Sequence, residues 1–359
     1  MLFYLSDSLI VSNEDPFFRR VFSAVRNLII AASQGKHLVT ASYRTLSALE
    51  EWFRNDFEIY GYLHKLRAEY STSISPQAVS YYIKVVKEID PNGPQRNGIG
   101  VMAVTDFLDN DRVSQTSLIG ENDYDCQFFE WILNWYKQSV VPERNLHTSM
   151  SHINGGGGST PTAIKKELNK RHVSVCIVDT DIRFPGDSIK NDSTCKKCRR
   201  VVRHEPFFLY LELDVHEIEN LIPVNFLEHI DEWNGESGRK KEAFDFISGD
   251  PDIMPYFDLK KGVQKSSVIG DDLYIFGKRC YQHNHIMVEA GTYEELYAQT
   301  DKYVYPGLNE QALKHTLSYL DATNNPEQPV LMGFQRRNWE MIGEALLNFC
   351  VAHNQEVIY

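Results

Sequence analysis

The stretch Val173-Ser-Val-Cys-Ile-Val178, followed directly by Asp179-Thr-Asp181, decides the fold expected for this chain. A near-continuous apolar run of this length is typical of a parallel strand that is covered on both faces. The two aspartates then lie at the carboxyl end of the strand, the edge of a parallel sheet at which ligands collect. Their spacing of two residues lets both side chains point to one side of an extended segment. We therefore expect an α/β domain with an acidic site at this edge.

Strands and helices alternate around this stretch. A strand is predicted over 116–120, a helix over 125–136, a second strand over 147–153 and a fourth over 207–213. Between the second and third strands, Gly155 to Gly158 lead through Ser159 and Thr160 to Pro161, a pattern typical of a helix start. This alternation favours a parallel, Rossmann-like α/β sheet core with largely helical N- and C-terminal regions.

The chain is predicted to have three parts. Residues 1–112 form a mostly helical N-terminal region after one short apolar run, with helices over 17–32, 45–62 and 76–89. Residues 113–222 form the core, with a cysteine-containing insertion over 183–205. Residues 223–359 are mixed and mainly helical, with helices over 226–233, 292–300, 310–320 and 339–353.

Acidic side chains follow three of the four predicted core strands. These residues are Glu121 and Asp125, Asp179 and Asp181, and Glu217 and Glu219. Carboxylates are hard oxygen ligands, so a cluster of them suits Mg²⁺ or Mn²⁺ better than zinc. The second strand is followed instead by the glycines, whose backbone N–H groups could approach a small anion. A flexible turn is the alternative interpretation of those glycines.

These motifs together resemble a Toprim domain. The resemblance rests on Thr116-Ser-Leu-Ile-Gly-Glu121-Asn-Asp-Tyr-Asp125, the glycines, and Val175-Cys-Ile-Val-Asp179-Thr-Asp181. Two features are closer to the overcoming-lysogenization-defect (OLD) type of Toprim nuclease. They are the acid four residues after Glu121 and the motif Glu217-Ile-Glu219-Asn220. The similarity covers about residues 113–222.

The sequence also departs from that family. Asn122 stands where a glycine often follows the glutamate, and a long insertion precedes the last strand. The ATP-binding cassette that most OLD nucleases carry is not found, and Gly155–Thr160 lacks the Gly-Lys-Ser/Thr ending of a P-loop. A separately encoded ATPase or sensor protein is therefore the expected partner.

The resemblance implies a Mg²⁺- or Mn²⁺-dependent endonuclease, a hydrolase of phosphodiester bonds and the effector of an anti-phage defence system. Glu121, Asp179 and Asp181 would hold metal, with Glu121 also a general acid/base candidate. The other acids, Asp125, Glu217 and Glu219, would complete a second metal position. DNA and RNA remain open as substrates, and a homo-oligomer is compatible with this function.

Two alternatives belong to other classes of function. One is a non-catalytic Toprim-fold interaction or scaffold protein. The other, less favoured, is an enzyme of the topoisomerase or primase type. Four basic residues on the helix after the glycines could bind substrate phosphates, or could form its solvated face: Lys165, Lys166, Lys170 and Arg171.

Cysteine and histidine pairs indicate a structural zinc site. Cys195-Lys-Lys-Cys198 has knuckle spacing, and Cys280-Tyr-Gln-His283 offers a second pair. The alternative is free thiols on a loop together with surface histidines. Lys196, Lys197, Arg199 and Arg200 make the first knuckle a local basic patch that could contact nucleic acid.

The overall charge restricts the class of nucleic-acid protein. The net charge is −12, from 37 Lys and Arg against 49 Asp and Glu. A protein that coats polyanions non-specifically would be basic, so contact with nucleic acid must be local or assisted by metal. No apolar stretch is long enough to span a bilayer, and the first residues do not match a signal peptide. A cytoplasmic protein with no membrane partner is expected.

Overall fold

The computed structural model describes residues 1–71, 75–91, 96–142, 145–229, 239–264, 303–323 and 326–354. The chain forms two compact units. The first comprises 1–177, 201–211 and 341–359, and the second comprises 178–200 and 212–340. Within the described ranges, no helix combines the length and the apolar character that crossing a bilayer requires.

The first unit begins with a four-stranded parallel sheet, here called sheet A. Its order is β2-β1-β3-β4, and every neighbouring pair is parallel. Three helices lie in its first two crossovers, because a parallel connection must return the chain to the same end of the sheet. The elements are β1 (Leu2–Leu5), α1 (Phe18–Ser33), β2 (Leu38–Ala41), α2 (Tyr43–Trp52), α3 (Phe57–Ala68), β3 (Tyr82–Val86) and β4 (Ile99–Ala103).

The prediction of a mostly helical N-terminal region is therefore wrong. The helix expected over 76–89 is a single 3-10 turn, Pro76–Ala78, followed by β3. Ser75 does cap this turn, since its hydroxyl accepts the Gln77 N–H. The period-two burial of β3, with Ile83 and Val85 buried between half-buried neighbours, is what makes this segment a strand.

The helix predicted over 45–62 is two helices, α2 and α3. The chain turns between them, and the side chain of Asp56 accepts the Ile59 N–H to start α3. An N-cap aspartate begins a new helix because it satisfies a backbone donor that has no partner in the preceding turn. The helix predicted over 17–32 is confirmed as α1.

A second four-stranded sheet, sheet B, carries the predicted core. Its order is β7-β5-β8-β9, and β5 pairs in parallel with both β7 and β8. The parallel α/β class is thereby confirmed, and each of the four predicted strands is present within a few residues. The elements are β5 (Thr116–Gly120), α4 (Asp123–Ser139), β7 (Met150–Asn154), α5 (Thr160–Lys170), β8 (Ser174–Val178) and β9 (Phe208–Glu212). A short antiparallel pair joins β6 (His147–Thr148) to β12 (Val351–Ala352).

The interior of sheet B is mainly apolar, and its buried polar side chains include one group that joins α5 to β5. Every residue of β5 and β8 is buried. A carboxylate oxygen of Glu167 on α5 lies 2.6 Å from His172 Nδ1 and accepts the Ser117 hydroxyl at 3.1 Å. Burial by itself would raise the pKa of Glu167, but the hydrogen bond and charge of His172 outweigh it and lower that pKa. An ionised, bonded Glu167 thus fastens α5 to β5.

The second unit is mainly helical where it is described. Its helices are α6 (Thr194–Arg199), α7 (Val224–Leu227), α8 (Arg239–Gly249), α9 (Ala312–Ala322) and the first part of α10 (Gly333–Cys350). One antiparallel pair, β10 (Gly262–Gln264) with β11 (Tyr303–Pro306), accompanies them. The helices predicted over 310–320 and 339–353 match α9 and most of α10. The one over 226–233 overlaps α7 and extends beyond the described residues, and the one over 292–300 lies outside them.

The core of the second unit holds a turn that matters for the site. Trp339 on α10 is fully buried, and its indole N–H donates to the Leu221 carbonyl at 3.0 Å. Gln335, one turn earlier, donates to the carbonyls of Asn220 and Ile222. These bonds fix the 3-10 turn Ile218–Leu221, which carries the last pair of predicted acids.

Candidate functional site

The six predicted acids divide between the two units. Glu121 and Asp125 belong to the first unit, and Asp179, Asp181, Glu217 and Glu219 belong to the second. The second unit has brought three of its four acids around one cation, whereas in the first unit Asp125 serves a helix start. The two sets are described in turn.

In the first unit, Asp125 caps α4. The Asn122 side chain accepts the N–H groups of Tyr124 and Asp125, and Asp125 Oδ2 accepts the Asn122 N–H at 3.0 Å. This reciprocal capping box explains the four-residue spacing between Glu121 and Asp125, because the loop must turn directly into the helix. Asp125 is buried in that structural role, and its service as a metal ligand stays a prediction.

The glycine loop is tied to the end of β5. The Gly155 N–H donates to the Gly120 carbonyl at 2.9 Å, and the Gly157 N–H donates to the Glu121 carbonyl at 3.1 Å. The Gly156 N–H is bonded to the Asn154 side chain. The expectation that these N–H groups face an anion is wrong for all three, because each already has an intramolecular acceptor.

Glycine is nevertheless required in this loop. Gly156 and Gly157 have φ values of 68° and 56°, in the left-handed region that side chains disfavour. A Cβ atom on Gly155 would lie 2.4 Å from Thr160 Oγ1 and 2.6 Å from the Gly120 carbonyl oxygen. The loop is therefore an ordered turn that positions the backbone of Glu121, rather than a flexible one.

The predicted substrate-binding cations separate along α5. Lys165 and Lys166 are exposed in the middle of the helix. Lys170 lies 3.4 Å from Glu167, and Arg171 lies 3.2 Å from Asp106. Those two residues stand at the carboxyl end of α5, about 16 Å from the glycine loop at its start. Lys170 and Arg171 are thus engaged in ion pairs with Glu167 and Asp106, and substrate binding by the four residues stays a prediction.

In the second unit, the segment after β8 is fastened to the segment after β9. The buried Thr180 hydroxyl lies within hydrogen-bond distance of the Leu213 and Val215 carbonyls, at 3.0 and 2.8 Å. The Asp181 N–H donates to the His216 carbonyl at 3.0 Å. Asp181 has φ of 55°, a left-handed conformation that aspartate tolerates better than most residues. These contacts position Asp179 next to the turn that carries Glu217 and Glu219.

Lys260 is the centre of this cluster. Its ammonium lies 2.9 Å from Glu219 Oε1 and 3.6 Å from Glu217 Oε2. Burial alone would lower the pKa of Lys260, but the charges of Glu219, Glu217 and Asp179 outweigh it and raise that pKa. The lysine therefore carries its positive charge at any ordinary pH.

One cation does not satisfy all the carboxylate oxygens. Both glutamates are buried, and the Oε2 atoms of Glu217 and Glu219 have no hydrogen-bond partner among the described residues. Burial, with the neighbouring charges of Glu219 and Asp258, raises the pKa of Glu217 to about 7 despite the opposing effect of Lys260. The cluster thus has more negative charge than its own residues neutralise.

His216 and Asp258 extend the cluster. Ligand atoms of His216, Glu217 and Asp258 lie within 4.8 Å of one another. His216 Nδ1 donates to the Ile182 carbonyl at 2.9 Å, and Nε2 faces Asp258 at 3.6 Å. Burial opposes protonation of His216, but the hydrogen bond to Asp258 and the charge of Glu217 outweigh it and raise the pKa of the imidazole.

The sequence predicted neither Lys260 nor Asp258. Both come from a segment with no recognisable motif, about 40 residues after Glu217 and Glu219. The contact depends on Asn220, whose side-chain amide donates to the Met254 and Phe257 carbonyls at 2.7 and 2.8 Å. In the sequence, Asn220 stands out only as the last residue of the Glu-Ile-Glu-Asn motif.

The structure describes only one of the two residue pairs that are predicted to bind zinc. Cys195 and Cys198 lie on α6 three residues apart, on one side of the helix, and both are fully buried. Ser193 caps this helix by accepting the Lys196 N–H. Cys280 and His283 lie outside the described residues, so the shared site stays a prediction.

No family model, no curated protein and no solved structure matches this chain. The interpretation of the site consequently rests on its own geometry and on the sequence motifs.

Proposed function

We propose that this chain is a Mg²⁺- or Mn²⁺-dependent nuclease that hydrolyses phosphodiester bonds, on a Toprim-like core of the OLD type. The observation that carries the proposal is the cluster of Asp179, Glu217 and Glu219 around Lys260. Buried carboxylate oxygens without a hydrogen-bond donor are costly. Glu219 Oε2 is of this kind, and Glu217 Oε2 has only the Lys260 ammonium at 3.6 Å. A hard divalent cation would remove that cost.

The donor set fits such an ion. Carboxylate oxygens suit Mg²⁺ and Mn²⁺, and Asp179, Glu217 and Glu219 would be the ligands once their side chains close on the ion. Among the described residues, the ligand atoms that already lie within 4.8 Å of one another are those of His216, Glu217 and Asp258. When bound, the metal would polarise the phosphate, activate a water and stabilise the leaving oxygen. His216 is held between the Ile182 carbonyl and Asp258, next to Glu217.

Lys260 would supply a positive charge in addition to that of the metal. A permanently protonated ammonium beside the ligands attracts a phosphate group and offsets negative charge that develops during hydrolysis. It also keeps Glu217 and Glu219 together before metal arrives, because it reduces their mutual repulsion.

Two other classes of function remain to be separated from this one. A scaffold protein would use the same carboxylates only as internal ion pairs with Lys260. A topoisomerase or primase would need further catalytic groups, and no described contact favours that class. Cleavage and metal binding distinguish all three, because only the nuclease needs free ligand positions together with hydrolysis.

The first test is cleavage of plasmid DNA and of single-stranded RNA in Mg²⁺ or Mn²⁺. Asp179→Asn and Glu217→Gln should each reduce hydrolysis by at least about a hundredfold, because ligands are lost while the shape is kept. Asp214→Asn is the matched control, an exposed acid of the same segment that lies outside the cluster. Glu121→Gln tests whether the carboxylate after β5 serves the same reaction, with exposed Asp123→Asn as its control. Undiminished cleavage in Asp179→Asn and Glu217→Gln contradicts the proposal.

Metal binding is tested without any substrate. Titration of Mn²⁺ followed by electron paramagnetic resonance should show binding in the wild type and its loss in Asp179→Asn with Glu217→Gln. A protein that binds no Mn²⁺ is better described as a scaffold. This measurement also covers the case in which cleavage needs a separately encoded ATPase or sensor protein.

The role in anti-phage defence follows from the same resemblance. Expression of the chain together with a separately encoded ATPase or sensor protein should lower phage plaque counts, and Asp179→Asn should abolish that protection. A scaffold would keep the protection in Asp179→Asn, because its contacts do not need a metal ligand.

A further inference from the structure

The imidazole of His216 is oriented by one of its two nitrogens. Its Nδ1 donates to the Ile182 carbonyl at 2.9 Å. This bond fixes the ring and leaves Nε2, on the other side of the ring, facing Asp258 Oδ2 at 3.6 Å. Histidines that bind metal ions commonly have this arrangement, in which one ring nitrogen donates to a backbone carbonyl and the other holds the ion. His216 therefore presents a nitrogen ligand to the carboxylates around it.

The carboxylate of Asp258 is oriented in a similar manner. Its Oδ1 accepts the backbone N–H groups of Lys260 and Lys261, at 3.1 and 2.6 Å. The second oxygen, Oδ2, is the one that faces His216. Because the backbone holds the first oxygen, the second has a defined position opposite the imidazole.

Glu217 adds a buried oxygen that lacks a hydrogen-bond donor. The residue is 8% exposed, and its Oε2 has no hydrogen-bond partner among the described residues. The Lys260 ammonium lies 3.6 Å from this oxygen but 2.9 Å from Glu219, so two carboxylates share one cation. A buried carboxylate oxygen without a donor is costly, and a bound cation would remove that cost. This observation is independent of how His216 and Asp258 are oriented.

The spacing of the ligand atoms matches a shared metal ion. One ligand atom from each of His216, Glu217 and Asp258 lies within 4.8 Å of the other two. The 3.6 Å between Nε2 and Oδ2 exceeds the length of an ordinary N–H···O hydrogen bond, about 2.7–3.2 Å. Two ligands that are each about 2.1 Å from one ion, at a tetrahedral angle, lie roughly 3.4 Å apart. The separation of the imidazole and the carboxylate is therefore close to the one that an ion between them requires.

The backbone joins the two segments that carry these ligands. The His216 N–H donates to the Pro255 carbonyl at 2.8 Å, next to the two bonds that the Asn220 amide makes to the same segment. The ligand positions are thus set by the fold before any ion binds. Preorganisation of this kind reduces the entropy that binding must overcome.

We propose that His216, Glu217 and Asp258 form a binding site for a first-row divalent transition ion, in preference to Mg²⁺. Imidazole nitrogen is a good ligand for such ions, whereas Mg²⁺ is bound almost entirely through oxygen. The site shares Glu217 with the ion of the proposed function. A role for this ion in hydrolysis rests on that function, but the binding itself does not.

The test is pulsed electron paramagnetic resonance of Mn²⁺ bound to the full chain, without nucleic acid. Electron spin echo envelope modulation detects a nitrogen that coordinates Mn²⁺, and the wild type should show the modulation of an imidazole nitrogen. Labelling with ¹⁵N-histidine should change that modulation, which assigns the nitrogen to histidine without any substitution. The modulation should persist in about a hundredfold excess of Mg²⁺, because oxygen-only ions compete poorly for a nitrogen ligand.

Two variants remove one ligand each and keep the local hydrogen bonds. His216→Asn retains an N–H donor for the Ile182 carbonyl, and Asp258→Asn retains an oxygen for the backbone N–H groups. Each should lower the affinity for Mn²⁺ at least about tenfold, and His216→Asn should also abolish the nitrogen modulation. The control is His204→Asn at an exposed histidine, which should keep both the affinity and the modulation. Circular dichroism melting checks that each variant is folded.

Three outcomes would overturn the proposal: a wild type that shows no coordinated nitrogen, nitrogen modulation that disappears in excess Mg²⁺, or modulation that persists in folded His216→Asn. These outcomes differ from those that test the nuclease. Nitrogen coordination together with undiminished cleavage in Asp179→Asn and Glu217→Gln would support the metal site and contradict the nuclease. Loss of cleavage in those variants without a nitrogen ligand in the wild type would do the reverse.

Discussion

Sheet A and sheet B place their strands in the same order, with the second strand on one side of the first and the third and fourth on the other. In sheets of this kind, ligands gather where the order reverses, next to the first and third strands. The residues that follow those strands differ. Sheet A has Asp7 after β1 and Lys87 after β3, whereas sheet B has Glu121 after β5 and Asp179 after β8.

The difference shows that strand order sets where chemistry can occur and that the residues after the strands set which chemistry occurs. In sheet A, Asp7 is bound by two hydroxyls and serves to hold the start of α2. Asp179, by contrast, acts electrostatically on Lys260 together with Glu217 and Glu219, and the Oε2 atoms of these two glutamates have no hydrogen-bond partner among the described residues. Four experiments test this difference between sheet A and sheet B.

The largest expected effect concerns how sheet B holds its helix. Glu167→Ala should lower the free energy of unfolding by ~3–5 kcal/mol, because it leaves a buried histidine without its partner. The lost contacts are the 2.6 Å bond to His172 and the 3.1 Å bond from Ser117. Urea denaturation followed by circular dichroism measures the loss, with exposed Lys166→Ala on the same helix as control. A loss below about 1 kcal/mol would show that α5 is held by apolar packing alone.

The response to metal should separate the two sheets next. Mn²⁺ at about one hundred times its dissociation constant should add about 2.7 kcal/mol to the free energy of unfolding, because it binds the folded chain only. Asp179→Asn with Asp181→Asn should reduce that gain, and asparagine accepts the φ of 55° at Asp181. Asp7→Asn, the counterpart in sheet A, should keep it. Differential scanning fluorimetry measures the stabilisation by Mn²⁺ in each variant. Equal losses of that stabilisation would mean that the acid after β1 contributes as much to metal binding as the acids after β8.

The sequence predicted sheet B far better than sheet A, for a physical reason. Strand β8 is a continuous apolar run, and that pattern has few alternatives. Strand β3 follows Ser75 and Pro76, which begin a turn here but begin helices elsewhere. The five residues of β3 are too few for their period-two pattern to outweigh that signal.

The candidate site divides in a similar way. Asp179, Glu217 and Glu219 could be predicted because each follows a strand closely in sequence. Lys260 reaches them only through the tertiary bonds of Asn220 to Met254 and Phe257, which no local pattern encodes. The sequence therefore predicts the ligands of the cluster, but not its counter-ion.

The pH dependence of the free energy of unfolding tests the electrostatics of Glu217. The pKa of Glu217 is raised from 4.5 to about 7, so the folded chain binds a proton more tightly than the unfolded chain. The stabilisation is complete below pH 4.5 and is lost as the pH rises through 7, by about 2–3 kcal/mol. In EDTA, Glu217→Gln should remove this loss and be more stable than the wild type at pH 8.

The exposed acid of the same segment provides the control. Asp214→Asn should show the pH dependence of the wild type, because its carboxylate is in water in both states. A Glu217→Gln variant that is less stable than the wild type at pH 8 would mean that Glu217 remains charged and that its ion pair with Lys260 dominates.

The smallest effect compares the two helix starts directly. Ser42 caps α2 by accepting the Thr45 N–H, and Asn122 caps α4 by accepting the N–H groups of Tyr124 and Asp125. Ser42→Ala and Asn122→Ala should each cost about 1 kcal/mol of unfolding free energy, because each leaves helix donors without an acceptor. Only the Asn122 cap lies directly next to Glu121. We therefore expect only Asn122→Ala to disturb Glu121 and to reduce metal-dependent cleavage. Equal stability losses with unequal cleavage support separate roles for the two sheets, whereas an equal loss of cleavage in Ser42→Ala would place sheet A in the reaction as well.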